Sequence, residues 1–564
     1  MLTSFFESYY RLRPVNATFT GVHDHDHRLP DWSPDGLAAA VDEMRALRSA
    51  LHPARRSDAT RADVALRDRE LATAFLDVQI AEHESGHFQR ANPSLAIGEA
   101  VFGTIGLMTR PFADVADRAA AAAARLAAVP TFLEGARRTI DSGVPEEWRL
   151  KSLRECDGAF HLLRDGIPYW MALERLDGSL ASRLTRAAKQ AGAAFERFRG
   201  WLEGGAGAAS GPAKTGSDVR QRDPGHPYAC GPELFDLLLS RGHWCSVPRA
   251  TLAAAARQAL DEALDELHAR ARSIAPGGWP EVQERLVNTH PTPVDYLASY
   301  QREWHRCREL AQARDLVAWP EYPIRYVPIP RQTRSAAPFL YYLHYRSPAP
   351  FDRLPIHDYV VTPIERDMPA DEQLRRLRAT NTSVIRLNHV VHHGAIGHHV
   401  QNYYAYTGPS EIGRVAAVDC ASRIAMFSGG SMAEGWACYA TDLMDECGFF
   451  TADESLAQQH TRARLLARAV VDLGLHDGSL SFADGVALYR DRVGMSPDAA
   501  RGEACKNSMF PGTALMYWLG TDTLHRLRSE RQRVEGAAFS LRRFHERVLA
   551  FGSIPVPLIA ELMS

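Results

Sequence analysis

His389-Val-Val-His392-His393-Gly-Ala-Ile-Gly397-His398-His399-Val-Gln401 places five histidines in eleven positions of an apolar, helix-like run. The whole chain holds 23 histidines in 564 residues, so packing alone does not account for the crowding. Neutral imidazole is the commonest metal-ligating side chain, and its pKa lies near working pH. The cluster therefore points to a bound metal, to proton transfer, or to both. Downstream, Ala433-Glu434-Gly435-Trp436-Ala437 sets a carboxylate in a second apolar helical run. Two imidazoles from one helix and a carboxylate from the next form the donor set of a catalytic zinc site that keeps one position open.

Helix geometry restricts which histidines can share an ion. A regular α-helix turns about 100° and rises about 1.5 Å per residue. His392 and His399 share a face but stand roughly 10 Å apart along the axis, too far for one ion with bonds of about 2 Å. His392 and His398 fall on different faces. They can share an ion only if the helix bulges between them, and Gly394 and Gly397 are the residues that permit it. His389 with His393, a regular i, i+4 pair, is the undistorted alternative. Histidines that merely hydrogen-bond inside a core are the reading without chemistry.

The composition, 45% hydrophobic and 24% charged, is that of a globular protein. A net charge of -3 gives no sign of a nucleic-acid or membrane-surface partner. No apolar run approaches the roughly 20 residues that span a bilayer. The start, Met1-Leu-Thr-Ser-Phe-Phe-Glu-Ser-Tyr-Tyr10, lacks a basic segment followed by an apolar core, so no secretion signal is expected. The eight cysteines are scattered with no Cys-x-x-Cys pair, which fits reduced thiols in a cytoplasm.

The dominant period is helical. Residues 35–51, 58–84, 114–129, 172–201 and 249–273 carry apolar side chains at three-and-four spacing. Ser33-Pro34, Thr292-Pro293 and Ser496-Pro497 read as a cap followed by proline at the first helical position. The segment 204–231, rich in Gly, Ala, Ser and Pro, reads as a surface loop and a candidate lobe boundary. Strand signals gather at 324–329, 339–345 and 357–362, predicting a small sheet beside the histidine run. The tyrosines there, Tyr341, Tyr342, Tyr345 and Tyr359, read as packing residues.

His392-x5-His398-His399-x-Gln401, together with Glu434-Gly-Trp-Ala-x-Tyr439, resembles the bacterial family known as domain of unknown function 885. Its members look like relatives of zinc metallopeptidases that carry a His-Glu-x-x-His helix and a downstream glutamate ligand. The resemblance covers nearly the whole chain, residues 1–564 forming one family-wide unit with the metal-site half at about 320–564. Pro14-Val-Asn-Ala-Thr18, Gly21-Val-His23 and Leu29-Pro-Asp31 match its N-terminal signature. Arg468 with Asp472-Leu-Gly-Leu-His476, and Glu503 through Tyr517, match later ones. By the same resemblance, His23-Asp24-His25-Asp26-His27 is a structural signature and not a metal run.

The resemblance implies a mainly α, zincin-like two-lobed helical fold with a small β-sheet beside the active-site helix. It implies a divalent metal on His392, His398 and Glu434, with His399 as the rival second imidazole. Zinc comes first, and iron, manganese or copper are alternatives. Four departures stand out. Where the family has a glutamate, this chain has His393; its proline is Ile396, its Arg-Tyr pair is Lys506-Asn507, and its glutamine is Thr513. In zinc peptidases the glutamate takes a proton from water, so the departures weigh against general peptide hydrolysis. His393, His399 and Lys506 are the candidate catalytic residues. Lys506 is one of only four lysines among 65 basic residues.

The expected function is a metal-dependent enzyme of metallopeptidase ancestry acting on a small amino-acid-like or peptide-like substrate. The alternatives are a non-hydrolytic metalloenzyme with a histidine-rich iron, manganese or copper site, and an inactive binding protein on the same scaffold.

Overall fold

The computed structural model describes residues 2–51, 63–140, 143–205, 222–223, 225–340, 345–346, 349–352, 357–418 and 428–564. The chain is mainly helical. Four of the five periodic runs form helices at Pro34–Leu51, Val64–Glu84, Val115–Thr139 and Arg249–Ile274. The expected start at Asp58 lies outside the described residues. Asp63 caps the helix there, its Oδ1 accepting from the Ala65 and Leu66 amides at 2.9 and 3.4 Å. The helix expected to end at Val129 runs through Pro130 to Thr139. Burial of Phe132, Leu133 and Ala136 outweighs the backbone bond that the proline removes.

The run 172–201 is not one helix. It divides into Ile167–Leu173 and Gly178–Glu203, with Arg175 left-handed at φ 54° between them. Ser33 and Ser496 cap as expected, through the Gly36 and Ala499 amides. Thr292-Pro293 instead opens a turn held by the Asp295 amide at 3.2 Å, and the helix follows at Tyr296. Most of the loop expected at 204–231 lies outside the described residues.

Helices Pro93–Thr109, Val115–Thr139, Glu146–His161 and Gly178–Glu203 share one core around Leu126, Leu133, Trp170 and Phe195. Helix Arg249–Ile274 packs on helix Ala452–His476 over a second core with Leu260, Val470 and Tyr489. The largest core joins N-terminal aromatics (Phe5, Phe6, Tyr9, Phe75) to Tyr300, Val390, Val400, Trp436 and the C-terminal Val548 and Ile559. The histidine run crosses this third core.

Three short strands flank it: β1 (Ile324–Pro328), β2 (Tyr345–Arg346) and β3 (His357–Val361), in the order β1–β3–β2. β1 runs parallel to β3, with Tyr326 opposite Tyr359, and β2 runs antiparallel to β3. Of the strand expected at 339–345, residues 341–344 lie outside the described residues, and only its end, Tyr345, is in β2. Residues Ala337–Phe339 form a 3-10 turn around Pro338, whose fixed φ suits a turn. Tyr341 and Tyr342 lie outside the described residues, while Tyr359 is buried.

The 23–27 run is a structural tie. His23 sits between Asp26 (2.9 Å) and Asp352 (2.6 Å) and stacks on Phe112 at 3.7 Å. Arg110 reaches Asp352 at 3.0 Å, and Asp26 also accepts from the Thr18 hydroxyl.

Candidate metal centre

Asn381 opens the histidine helix, its Oδ1 accepting from the Ser383 and Val384 amides at 3.0 and 3.2 Å. Arg386 anchors the first turn between Glu303 and Glu454, at 2.8 and 2.9 Å. From Ile385 to Gly394 the segment is a π-helix, bonded i to i+5 and wider than an α-helix. It stops at Ala395, and a new α-helix runs from His398 to Thr407. The distortion that the histidine spacing demands is present, and it is larger than a single bulge.

Both glycines are needed. A Cβ on Gly397 would meet the His392 carbonyl oxygen at 1.9 Å, and one on Gly394 would meet Tyr326 Oη at 2.1 Å. Two indoles bind the backbone across the break. Trp304 Nε1 donates to the Gly394 carbonyl at 2.7 Å, and Trp436 Nε1 donates to that of Ile396 at 2.9 Å. The Gly397 amide reaches back to the Val391 carbonyl at 2.9 Å.

The fold over the break gathers three imidazoles. Ring centroids lie 4.7 Å apart for His392–His393, 4.9 Å for His392–His398 and 5.2 Å for His393–His398. One nitrogen from each lies within 4.8 Å of the others. The His393 Nδ1 is taken by the Asn388 carbonyl at 2.7 Å, which leaves Nε2 as its ligand atom.

Helix Gly430–Glu446 delivers the carboxylate. Its Gly435 packs backbone to backbone on Gly520, where a Cβ would meet the Gly520 Cα at 2.5 Å. Glu434 Oε2 is buried without a hydrogen bond, 3.3 Å from His392 Nε2 and 3.6 Å from His398 Nε2. Bonds of about 2 Å in a tetrahedral arrangement put neighbouring donor atoms roughly 3.3 Å apart. The donor set and its spacing fit a divalent transition ion.

Burial lowers the pKa of His392 and, more strongly, that of His393. Burial alone would raise the Glu434 carboxyl; His398 and His392 outweigh it and hold the group well below the usual carboxylate range.

The other expected residues make separate contacts. His399 faces away from the three imidazoles: its Nε2 meets the Tyr322 carbonyl at 2.7 Å and its ring packs against Tyr322 and His357. His398 and His399 both lie in helix His398–Thr407, where adjacent side chains diverge by about 100°, so only His398 turns inward. The pairing of His389 with His393 is not formed either. His389 Nδ1 contacts Tyr359 Oη at 2.5 Å. Lys506 is half-buried on helix Pro497–Met509, on the side of Glu503, whose pKa it helps to lower. Asn507 is buried, donating to Tyr489 Oη and accepting from His476 Nε2 at 3.0 Å. Thr513 Oγ1 donates to the Phe510 carbonyl at 2.7 Å. Ile396 is buried at the break.

Two neighbours of the site went unread in the sequence. Cys438, one turn beyond Glu434, has its Sγ 4.0 Å from His392 Nδ1. Arg464 lies close enough to influence His392. A signal for it existed: His460, Arg464, Arg468, Asp472 and His476 recur every fourth residue along a helix that is otherwise largely buried.

No curated protein matches the chain. Among solved structures, a candidate lipoprotein of unknown function from Shewanella oneidensis superposes with a TM-score of 0.76 at 20% identity, covering 100% of this chain and 98% of that one. A candidate lipoprotein from Colwellia psychrerythraea gives a TM-score of 0.76 at 15% identity, covering 99% and 97%. At such identities the likeness shows a shared fold alone. Residues 14–563 match the family described as bacterial protein of unknown function, and the chain therefore belongs to the DUF885 family.

Proposed function

We propose that this chain is a metal-dependent enzyme of metallopeptidase-like ancestry that acts on a small amino-acid-like or peptide-like molecule. The observation that carries the reading is the buried Glu434 oxygen, which takes no hydrogen bond and sits 3.3 and 3.6 Å from two imidazole nitrogens. A buried acceptor left unpaired is costly unless an ion completes it. His392, His398 and Glu434 would hold the ion, zinc first, in a zincin-like two-lobed scaffold with the site in the cleft between the lobes. When bound, such an ion supplies Lewis acidity to water or to a substrate oxygen.

The residues around it have separate tasks. The Asn388 carbonyl fixes the His393 tautomer, so that a bare Nε2 faces the group. Trp304 and Trp436 hold the break that sets the spacing of the ligands. A cytoplasmic setting is proposed on the seven described cysteines, all free thiols.

One observation favours a second reading. His393 stands with His392 and His398 where the family has its glutamate, and Glu434 approaches two of these three imidazoles, at 3.3 Å from His392 and 3.6 Å from His398. Such a set suits iron, manganese or copper as well as zinc and would support redox, elimination or rearrangement chemistry.

Elemental analysis of freshly purified protein, with EPR on the same sample, tests both. One equivalent of zinc and no signal supports the hydrolytic reading. One equivalent of a paramagnetic ion supports the second. Full stability with no metal overturns both.

A further inference from the structure

We infer that Arg464 forms an anion-recognition subsite next to the histidine group and receives a carboxylate of the substrate. The inference rests on the metal-enzyme reading for the identity of the neighbouring centre, and on the arrangement of cations for the subsite itself.

Arg464 and Arg468 lie one turn apart on the same face of helix Ala452–His476. Arg468 is satisfied. Its guanidinium takes both oxygens of Glu503, at 2.8 Å from Nη2 to Oε1, and lies over the Tyr517 ring at 5.2 Å. Lys506 adds a further positive charge beside the same Glu503. Three cations thus share one carboxylate, and that carboxylate is already claimed by a two-point grip.

Arg464 is left over. Among the described residues it makes no hydrogen bond and no ion pair, and its Nε is buried without a partner. Burial and the like charge of Arg468 lower its pKa, with only partial relief from Glu503. The side chain is half-buried, and a buried Nε without a partner costs stability unless a ligand completes it. Its position says which ligand. The charge of Arg464 is felt at His392 and by Cys438, whose Sγ is 4.0 Å from His392 Nδ1, which puts Arg464 on the histidine side of its helix. A molecule whose reacting atom faces His392, His398 and Glu434 could therefore present a carboxylate to Arg464. The planar fork of arginine suits the two oxygens of that group better than a point charge would.

The experiment uses purified full-length protein, with N-acetyl-L-alanine as the probe and N-acetyl-L-alaninamide and inorganic phosphate as comparisons. Binding is measured by calorimetry at matched ionic strength. Wild type is expected to bind the acid and not the amide. Arg464→Gln should weaken acid binding roughly tenfold or more, and Arg464→Lys should fall between. Without ligand, Arg464→Gln should melt no lower than wild type, because it removes a half-buried cation that stands beside the like charge of Arg468. Equal binding of acid and amide, or acid binding unchanged in Arg464→Gln, overturns the subsite. Phosphate binding that excludes the acid overturns the carboxylate assignment. Metal content measured on the same samples separates the two readings: metal-free wild type that still needs Arg464 for the acid would sink the metalloenzyme reading and leave this one standing.

Discussion

The carbonyl oxygen of His392 occupies the place that a Cβ on Gly397 would need, 1.9 Å away. That contact lets the chain double back and put His398 beside His392. Gly397→Ala is therefore expected to destabilise the protein by about 3 kcal/mol or more, the upper range for forced overpacking, and to scatter the imidazoles. Gly200, in helix Gly178–Glu203, has nothing within 4 Å of its would-be Cβ. Gly200→Ala should instead stabilise by about 0.4–1 kcal/mol. Urea denaturation of both variants checks the pair; equal effects would mean that the break does not depend on the glycine.

Metal retention should follow the ligand atoms. His392→Ala and Glu434→Ala are expected to lose the bound divalent ion, since either leaves too few donors from the assigned set. His399→Ala should keep it, because that side chain is turned toward Tyr322. Elemental analysis after gel filtration reads the outcome, and a full equivalent in both ligand variants would show the assignment to be wrong.

On the proposed reading, His393 sets the reaction class. Protonated imidazole beside a cation is disfavoured, so His393 is a poor proton shuttle for delivering hydrogen to a leaving amine. The protein is expected to show negligible hydrolysis of generic peptides and dipeptides. His393→Glu should lose the native activity and gain weak peptide hydrolysis, measured against a mixed dipeptide library. Robust cleavage by the unmodified protein would return it to the ordinary metallopeptidases.

The His23 tie predicts an alkaline limit. Burial alone would lower the His23 pKa; hydrogen bonds and charge from Asp26 and Asp352 outweigh it and raise the value to about 9. The folded value lies above the unfolded one of about 6.5, so the protonated form stabilises the fold. That contribution is complete below about pH 6.5 and is lost as pH rises through about 9. His23→Gln should flatten this part of the stability curve in denaturant titrations at stepped pH. A variant that loses stability between pH 6.5 and 9 as steeply as wild type would remove the tie from consideration.

Helix content and the sheet were legible because burial imposes periods that a chain can display. The need for a bulge was legible too, since His392 and His398 could share an ion in no other way. The inward choice between His398 and His399 was not. It depends on the dihedrals of residues 395–397, which rotate everything after them, and no side-chain period records a break. The stripe that holds Arg464 was visible, but its significance was missed for another reason. A charged residue on a helix is usually solvated, and this one is half-buried only through the packing of other helices that bring Glu503, Tyr517 and Cys438 near it. The 172–201 run misled because Arg175 takes a left-handed turn that its residue type does not announce.

The three clustered imidazoles lie within the seven positions from His392 to His398, whereas Glu434 arrives on a separate helix. Closing so short a span costs little chain entropy, and a distant carboxylate must wait for tertiary docking. During folding the imidazoles are then expected to capture the ion first, with Glu434 joining last. The ion would act as a template on which the two halves of the site meet, and its availability while the chain folds would govern how much of the protein reaches the finished state.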